Sequence, residues 1–441
     1  MKTPHARAFS FGFACLLFVA GAAGGVMAAA DAEVKAKADE PAKVKADAGV
    51  KAEAKVNAKA GVGVNAKADA RVKAAQDLVR ARTEAVGAED AETLRARLLL
   101  AEALWEQGRT EEAEGMLHEL LPLLTKVLGA EAPETLRCES RDLFARTTRA
   151  PDAEIEKAYR RLIAVMVRVL GPQDMNTLKA RRGLASAQLA LGKAAYAERE
   201  ARKVLELLLR TVGDSDPEFL DCQVDIVLAL SALGRKEAAE TLCSGVVSKQ
   251  KRLFAEDHPQ LLRSRGALCG LLFDLKKLAE AETLLRGLVP DVVRVRGAEH
   301  AETLHYLSDL CRVLAAAGKL GEAEKEYRSL IPVKERVLGA ESAETLDTRR
   351  EFAQVLSAKG GKEEAVKEYR ALLPAHEKTF GVEDARTLHI CFSLASTLWE
   401  LQRVAEALPY AQRALEGRTK ALGKEHEETL MAQRLVEGLK G

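Results

Sequence analysis

One phrase recurs along this chain with a fixed spacing, and the spacing restricts the fold more than any other feature. Gly87-Ala-Glu-Asp-Ala-Glu-Thr-Leu94 returns in degenerate form at Gly129, Gly171, Gly213, Gly297, Gly339, Gly381 and Gly423. Ala255 fills the remaining slot, and every step is 42 residues without insertion or deletion. Such phase-locking is the mark of an array in which each unit packs on its neighbours. The 441 residues therefore do not convert into a number of separate cores.

Each unit reads as a helical hairpin. Asp90, Asp174, Asp216, His258, His300, Ser342, Asp384 and His426 stand where a side-chain acceptor can hold the free amides of a first turn. Pro133, Pro217 and Pro259 follow at the first helical position, where a missing amide hydrogen costs nothing. Glu92 and Glu134 suit the positive end of the helix dipole. The first helix starts near residue 91, carries Leu94, Leu100, Ala101 and Leu104 on one face, and stops at Gly108, echoed by Gly192, Gly234, Gly318 and Gly360. The second helix opens on Glu112-Ala113-Glu114. Small residues recur at Ala113, Ala197, Ala239, Ala281, Ala323, Ala365 and Ala407, where two backbones approach closely; Ile155 breaks the series. A larger core residue follows one turn later, at Leu117, Tyr159, Leu285, Tyr327 or Tyr369. Pro122, Pro290, Pro332 and Pro374 share one register inside this helix and predict a bend there. The second unit departs most, with Asp142 and Arg146 at apolar positions and Ala150-Pro151 at the turn.

The pattern resembles the tetratricopeptide repeat in its 42-residue, kinesin-light-chain-like form. The resemblance is carried by Thr303-Leu304, Leu310-Cys311, Leu314, Gly318, Glu322-Ala323-Glu324, Tyr327 and Val337-Leu338-Gly339, and it covers about residues 75 to 440. It implies an all-α solenoid of antiparallel helical hairpins wound into a right-handed superhelix, with a concave groove lined by first helices. The array is expected over 73–441: a partial helix at 73–86, eight repeats over about 87–426, and a capping helix at 427–440. Hydrophobic residues at 47%, charged residues at 30% and aromatics at only 4% suit packed helices with few large core side chains.

Two segments precede the array. Lys2 and Arg7, then an uncharged run from Ala8 to Ala30 centred on Phe9, Phe11, Phe13, Leu16, Leu17, Phe18 and Val19, have the layout of a secretory signal peptide over 1–30. An uncleaved signal anchor is the alternative, and Cys15 lacks a lipoprotein context. Residues 31–72 form a low-complexity Ala/Lys/Val spacer. Its even positions from Ala32 to Val72 are Ala or Val except Glu40. As a strand it would stretch roughly 135 Å, and Ala buries too little surface to offset chain ordering, so a disordered tether is expected. The alternative is an envelope-binding segment using nine basic against seven acidic residues. Together these segments predict an exported, periplasmic or extracellular protein.

Sixty-seven basic against 66 acidic residues give a net charge of +1, which steers the chain to neither nucleic acid nor lipid. No HExxH, phosphate loop, GxSxG or paired-carboxylate pattern is present, so neither catalysis nor a metal or small-molecule cofactor is expected. Cys269 and Cys311 take positions that are Ala in other units, and Cys243 one that is Leu or Tyr; they read as core residues. Cys222 with Cys243 is the one disulfide worth testing.

Side chains facing away from both helix interfaces are the candidate ligand groove. Trp105 and Trp399 share one repeat position with Phe273, and exposed aromatics favour a partner; covering the two ends of the array is the equal alternative. A second row, Arg95, Arg137, Lys179, Arg263, His305 and His389, is largely basic, although Asp221 and Asp347 interrupt it. With Arg182, Arg312 and Arg350 it could hold acidic peptide groups, against the ordinary charging of any helix surface. The expected function is a non-catalytic protein-interaction scaffold in the cell envelope whose groove binds a peptide segment or protein. The alternative is a structural, self-associating envelope component.

Overall fold

A computed structural model describes residues 64–441 apart from Gly108 and Ala150. The signal-like segment, Cys15 and most of the spacer lie outside the described residues. Eighteen α-helices and no strand are present among the described residues: α1 (Val64–Val86), α2 (Ala91–Gln107), α3 (Thr110–Leu128), α4 (Pro133–Arg149), α5 (Ala153–Val169), α6 (Met175–Ala190), α7 (Ala194–Thr211), α8 (Pro217–Ala232), α9 (Lys236–Leu253), α10 (Pro259–Asp274), α11 (Leu278–Arg296), α12 (Ala301–Ala316), α13 (Leu320–Leu338), α14 (Ala343–Lys359), α15 (Lys362–Phe380), α16 (Ala385–Glu400), α17 (Val404–Leu422) and α18 (Glu427–Lys440). Even numbers from α2 to α16 are the first helices of the repeats, and odd numbers from α3 to α17 the second. The chain forms two compact units, one ending at Leu275 and one running from Lys276 to Gly441.

The helix starts follow the capping chemistry. Asp90, Asp174, Asp216, His258, His300, Ser342, Asp384 and His426 each accept a hydrogen bond from a backbone amide two or three residues on. The threonine of the repeated phrase closes the same turn. Thr93, Thr303 and Thr387 donate Oγ1 to the carbonyls of Gly87, Gly297 and Gly381 at 2.7–2.8 Å. Those glycines have φ between +95° and +98°, a conformation that Cβ disfavours. In the second repeat no glycine is described at the hairpin turn; there Asp152 accepts from the Ile155 amide at 2.8 Å and starts α5.

The core is built from the expected positions. Ala113, Ala239, Ala281, Ala323, Ala365 and Ala407 are all fully buried, and Leu117, Tyr159, Leu285, Tyr327 and Tyr369 are at most 1% exposed. Each buried leucine contributes about 1.5–3 kcal/mol, and enlarging one of the alanines would cost a comparable amount through overpacking. Helices α3, α11, α13 and α15 run through Pro122, Pro290, Pro332 and Pro374 as single elements.

Helix α1 begins at Val64, inside the stretch read as spacer. The alternation of Ala and Val with charged residues looks like a strand on paper, but Ala and Lys are strong helix formers, and Val72 is buried against the α2–α3 core with Ala75 and Val79 packed beside it. Tertiary contact decides for the helix. Among the described residues no helix is long and apolar enough to cross a membrane.

Ion pairs recur in phase with the repeat, some within one repeat and some between neighbours. Glu89–Lys126, Glu131–Arg168, Glu299–Arg336, Glu341–Lys378 and Glu383–Lys420 are the same pair in five repeats, at 2.5–3.1 Å. In the second unit Arg286–Glu322, Arg328–Glu364 and Arg370–Glu406 join successive second helices. Exposed pairs contribute little one by one.

Candidate interaction surface

Within each unit, successive first helices approach one another directly, α2 with α4, α6 with α8 and α8 with α10 in one, α12 with α14 and α14 with α16 in the other. Successive second helices do not match this closeness, so first helices form the tighter, inner side. Their unburied residues are the candidate surface. In the first unit it is polar and self-neutralised. Arg95 pairs with Glu134 at 2.7 Å and Glu92 at 2.5 Å, Arg137 with Glu102 at 3.2 Å, and Lys179 with Glu218 at 3.2 Å. Leu99, 42% exposed, is the large apolar residue left open there.

Deeper in that unit, α6, α8 and α10 share a buried ionic cluster. Arg182 donates Nε to Asp225 at 2.8 Å and Nη1 to Glu218 at 2.6 Å. Arg263 donates Nη2 to Asp225 at 3.0 Å, and Asp221 lies 3.5 Å from Arg263 and 3.7 Å from Arg182. Burial raises the Asp221 carboxyl to about 6 against the pull of both guanidiniums, because neither of its oxygens has a hydrogen-bond partner. The neighbouring carboxylates hold Arg182 firmly protonated.

In the second unit the inner side is equally paired. His305 lies 3.3 Å from Asp309, and Arg312 donates to Asp309 at 3.0 Å. Arg350 lies 3.4 Å from Asp347 and 3.7 Å from Glu351. Gln354 donates to Nε2 of His389 at 2.8 Å, which needs the neutral ring. Burial and the nearby Arg350 and Arg418 push that imidazole down to about 4.

Two of the expected groove residues are not on the surface. Trp105 is 4% exposed and meets Phe144 of the next first helix edge-on, with centroids 6.0 Å apart; an adjoining repeat covers the position that looked open on a lone helix. Arg263 is 0% exposed, drawn inward by Asp221 and Asp225. Phe273 is partly buried. Trp399 is 39% exposed, and its ring packs against Gly438 of α18, where an added Cβ would come within 3.0 Å. It thus packs in part on α18. Arg95, Arg137, Lys179 and Arg182 in the first unit and Arg312 and Arg350 in the second do lie on first helices, but each row is neutral, since carboxylates on the same or an adjacent first helix pair with it. Sequence reasoning passed over Glu218 and Asp225, although Asp221 between Lys179 and Arg263 at one repeat position was the signal: opposite charges one repeat apart meet.

The six described cysteines are free and buried. Cys222 donates to the Ala201 carbonyl and Cys243 to the Ser264 carbonyl, so these two thiols face different helices and the bridge considered from sequence is not formed. Burial pushes the Cys138 and Cys243 thiols up to about 12, which removes the thiolate that reactivity requires. Among the described residues no cluster of His, Cys, Asp and Glu could hold a metal ion.

A tetratricopeptide-repeat family model matches residues 93–134, 219–260 and 387–428, three stretches of one repeat each and all in the phase of the 42-residue period. No curated protein sequence matches the chain. Among solved structures, a putative kinesin light chain from Podosopora anserina with nearly identical repeats is 24% identical, covers 46% of this chain and 95% of its own, and has a TM-score of 0.43. The apo form of the quorum sensor NprR from B. thuringiensis is 15% identical over 91% of this chain and 99% of its own, TM-score 0.54. A Rap protein complexed with Competence and Sporulation Factor is 13% identical over 79% and 98%, TM-score 0.50. The latter two show a shared fold.

Proposed function

We propose that this chain, a tetratricopeptide-repeat protein, is a non-catalytic protein-interaction scaffold whose first-helix side receives an extended peptide or protein segment. The observation that carries this reading is the neutral, ion-paired stripe on the first helices, which in each unit offers paired donors and acceptors to a bound segment. A solved structure of the same fold, the Rap protein, is complexed with a named factor, which supports a peptide or protein as occupant. Since Arg95, Arg137, Lys179, Arg312 and Arg350 already have carboxylate partners, an acidic ligand has no surplus charge to meet. A segment of mixed polarity fits better. The leader-like and spacer-like sequences at the N-terminus support a place in the cell envelope, with the array held off by the spacer.

The test is capture from envelope extract by the full chain and by a variant carrying Leu99→Ser, Arg312→Ser and Gln354→Ser, none of which removes a fully buried group. A partner bound by the parent and lost in the variant, at unchanged helicity and unfolding midpoint, supports the inner side as the binding surface. Retention of every partner removes it.

A further inference from the structure

A cavity of about 200 Å³ opens within the sixth repeat between α12 and α13, smaller than the sites that hold drug-sized molecules and suited to one side chain. Leu304, Leu307, Cys311, Leu330 and Val333 form its walls, and Glu326 stands at its rim. Two repeat positions explain why it is there. The third repeat has Arg181 and Glu200 at the positions of Leu307 and Glu326, ion-paired at 2.6 Å. The seventh repeat has Arg349 and Glu368 there, paired at 2.7 Å. In both, the arginine stem crosses from first helix to second and its guanidinium meets the glutamate. The sixth repeat keeps the glutamate and replaces the arginine by Leu307. Glu326 has no ion-pair partner among the described residues, and the neighbouring Glu299 is engaged by Arg336 at 2.5 Å.

We propose that this cavity is a docking pocket for an arginine side chain of a bound partner, which supplies in trans the group that repeats three and seven supply from their own first helix. Leu304, Leu330 and Val333 receive the apolar stem, as apolar surface does beneath long basic side chains, and Glu326 receives the guanidinium in a charge-assisted hydrogen bond. The chain's own arginine–glutamate pairs show that the geometry between these two helix positions accommodates that group. The inference rests on the scaffold reading for its biological partner, but its test uses a defined probe and needs no partner.

The full chain, methyl-labelled at Leu and Val, is titrated with N-acetyl-arginine methylamide, with the isosteric neutral citrulline compound and with the norleucine compound. Saturable shifts at Leu307 and Val333 are expected with arginine, at least about tenfold tighter than with citrulline. Glu326→Gln should bring arginine down to the citrulline level. Leu307→Arg should refill the site from within, raise the unfolding midpoint and abolish binding. Norleucine binding as tightly as arginine would overturn the assignment in favour of an apolar anchor, and the absence of saturable shifts with all three compounds would overturn the pocket as a docking site. Retention of every captured partner by the Leu99→Ser, Arg312→Ser, Gln354→Ser variant, with probe binding intact, would fault the scaffold reading's choice of surface and leave this pocket standing.

Discussion

Arg263 of α10 is wholly buried with its Nη2 3.0 Å from Oδ1 of Asp225 on α8, although the equivalent Arg95 in the first repeat keeps 42% of its side chain in solvent. The same repeat position is surface in one unit and interior in another because α8 brings two aspartates to meet it. Removing the charge with Arg263→Met leaves Asp221 and Asp225 short of a counterion and is expected to cost about 3–5 kcal/mol. Adding Asp221→Leu restores the balance around Arg182 and should recover most of that loss. Urea unfolding of the two variants and the parent measures both; equal destabilisation in single and double variants would contradict the coupling.

Lys276 and Gln402 have φ of +61° where the matching hairpin turns use Gly192, Gly234, Gly318 and Gly360. The strain on a side chain there exceeds the chain entropy that glycine adds. Lys276→Gly and Gln402→Gly should each stabilise by about 0.5–1 kcal/mol, read as a higher unfolding midpoint. Alanine at Gly318 should lower it.

Tyr159 fills the space left by Gly183 of the next first helix, where an added Cβ would lie 2.5 Å from the phenol oxygen. Gly183→Ala is expected to destabilise by about 1–3 kcal/mol through overpacking. Tyr159→Leu, the residue type found at Leu117, should rescue it. Thermal unfolding of the double variant decides, and a rescue that fails would mean the contact is not what limits the site.

Three first helices and α1 show how far the sequence could be read. Asp174, Ser342, Asp384 and the rest act on amides two or three residues away, so a local rule sufficed, and the 42-residue period carried that rule along the array. The exposure of Trp105 and Arg263 depended on Phe144 and on Asp225, residues about one repeat away whose approach is fixed by how first helices pack; a single helix wheel treats both positions as open. The start of α1 at Val64 was hidden because Ala, Val and Lys in alternation satisfy a strand pattern, and only burial of Val72 against α2 and α3 favours the helix. Leu307 with Glu326 became legible once Arg181–Glu200 and Arg349–Glu368 showed what those positions ordinarily do.

His258 and His300 cap α10 and α12 by accepting backbone amides at Nδ1, at 3.3 and 3.2 Å, which a protonated ring cannot do. Burial lowers both imidazoles from 6.5, against Asp257 in the first case and together with Arg296 in the second. A depressed folded value means that the unfolded chain binds the proton more tightly. The stability of these caps is therefore present above 6.5 and lost as pH falls through the folded values, about 1 kcal/mol for each cap. Asp221 works in the opposite sense, since its raised value favours the folded state as pH falls through about 6. His258→Asp with His300→Asp should flatten the loss of stability between pH 7.5 and about 5; an unchanged slope would contradict the capping role.

The most direct test of the account is hydrogen–deuterium exchange of the full chain with and without the partner captured from envelope extract. Slowed exchange concentrated in the even-numbered first helices α2 to α16, with the outer second helices little changed, is the expected footprint of a segment held along the inner side. Protection confined to the second helices, or to the residues before Val64, would contradict it.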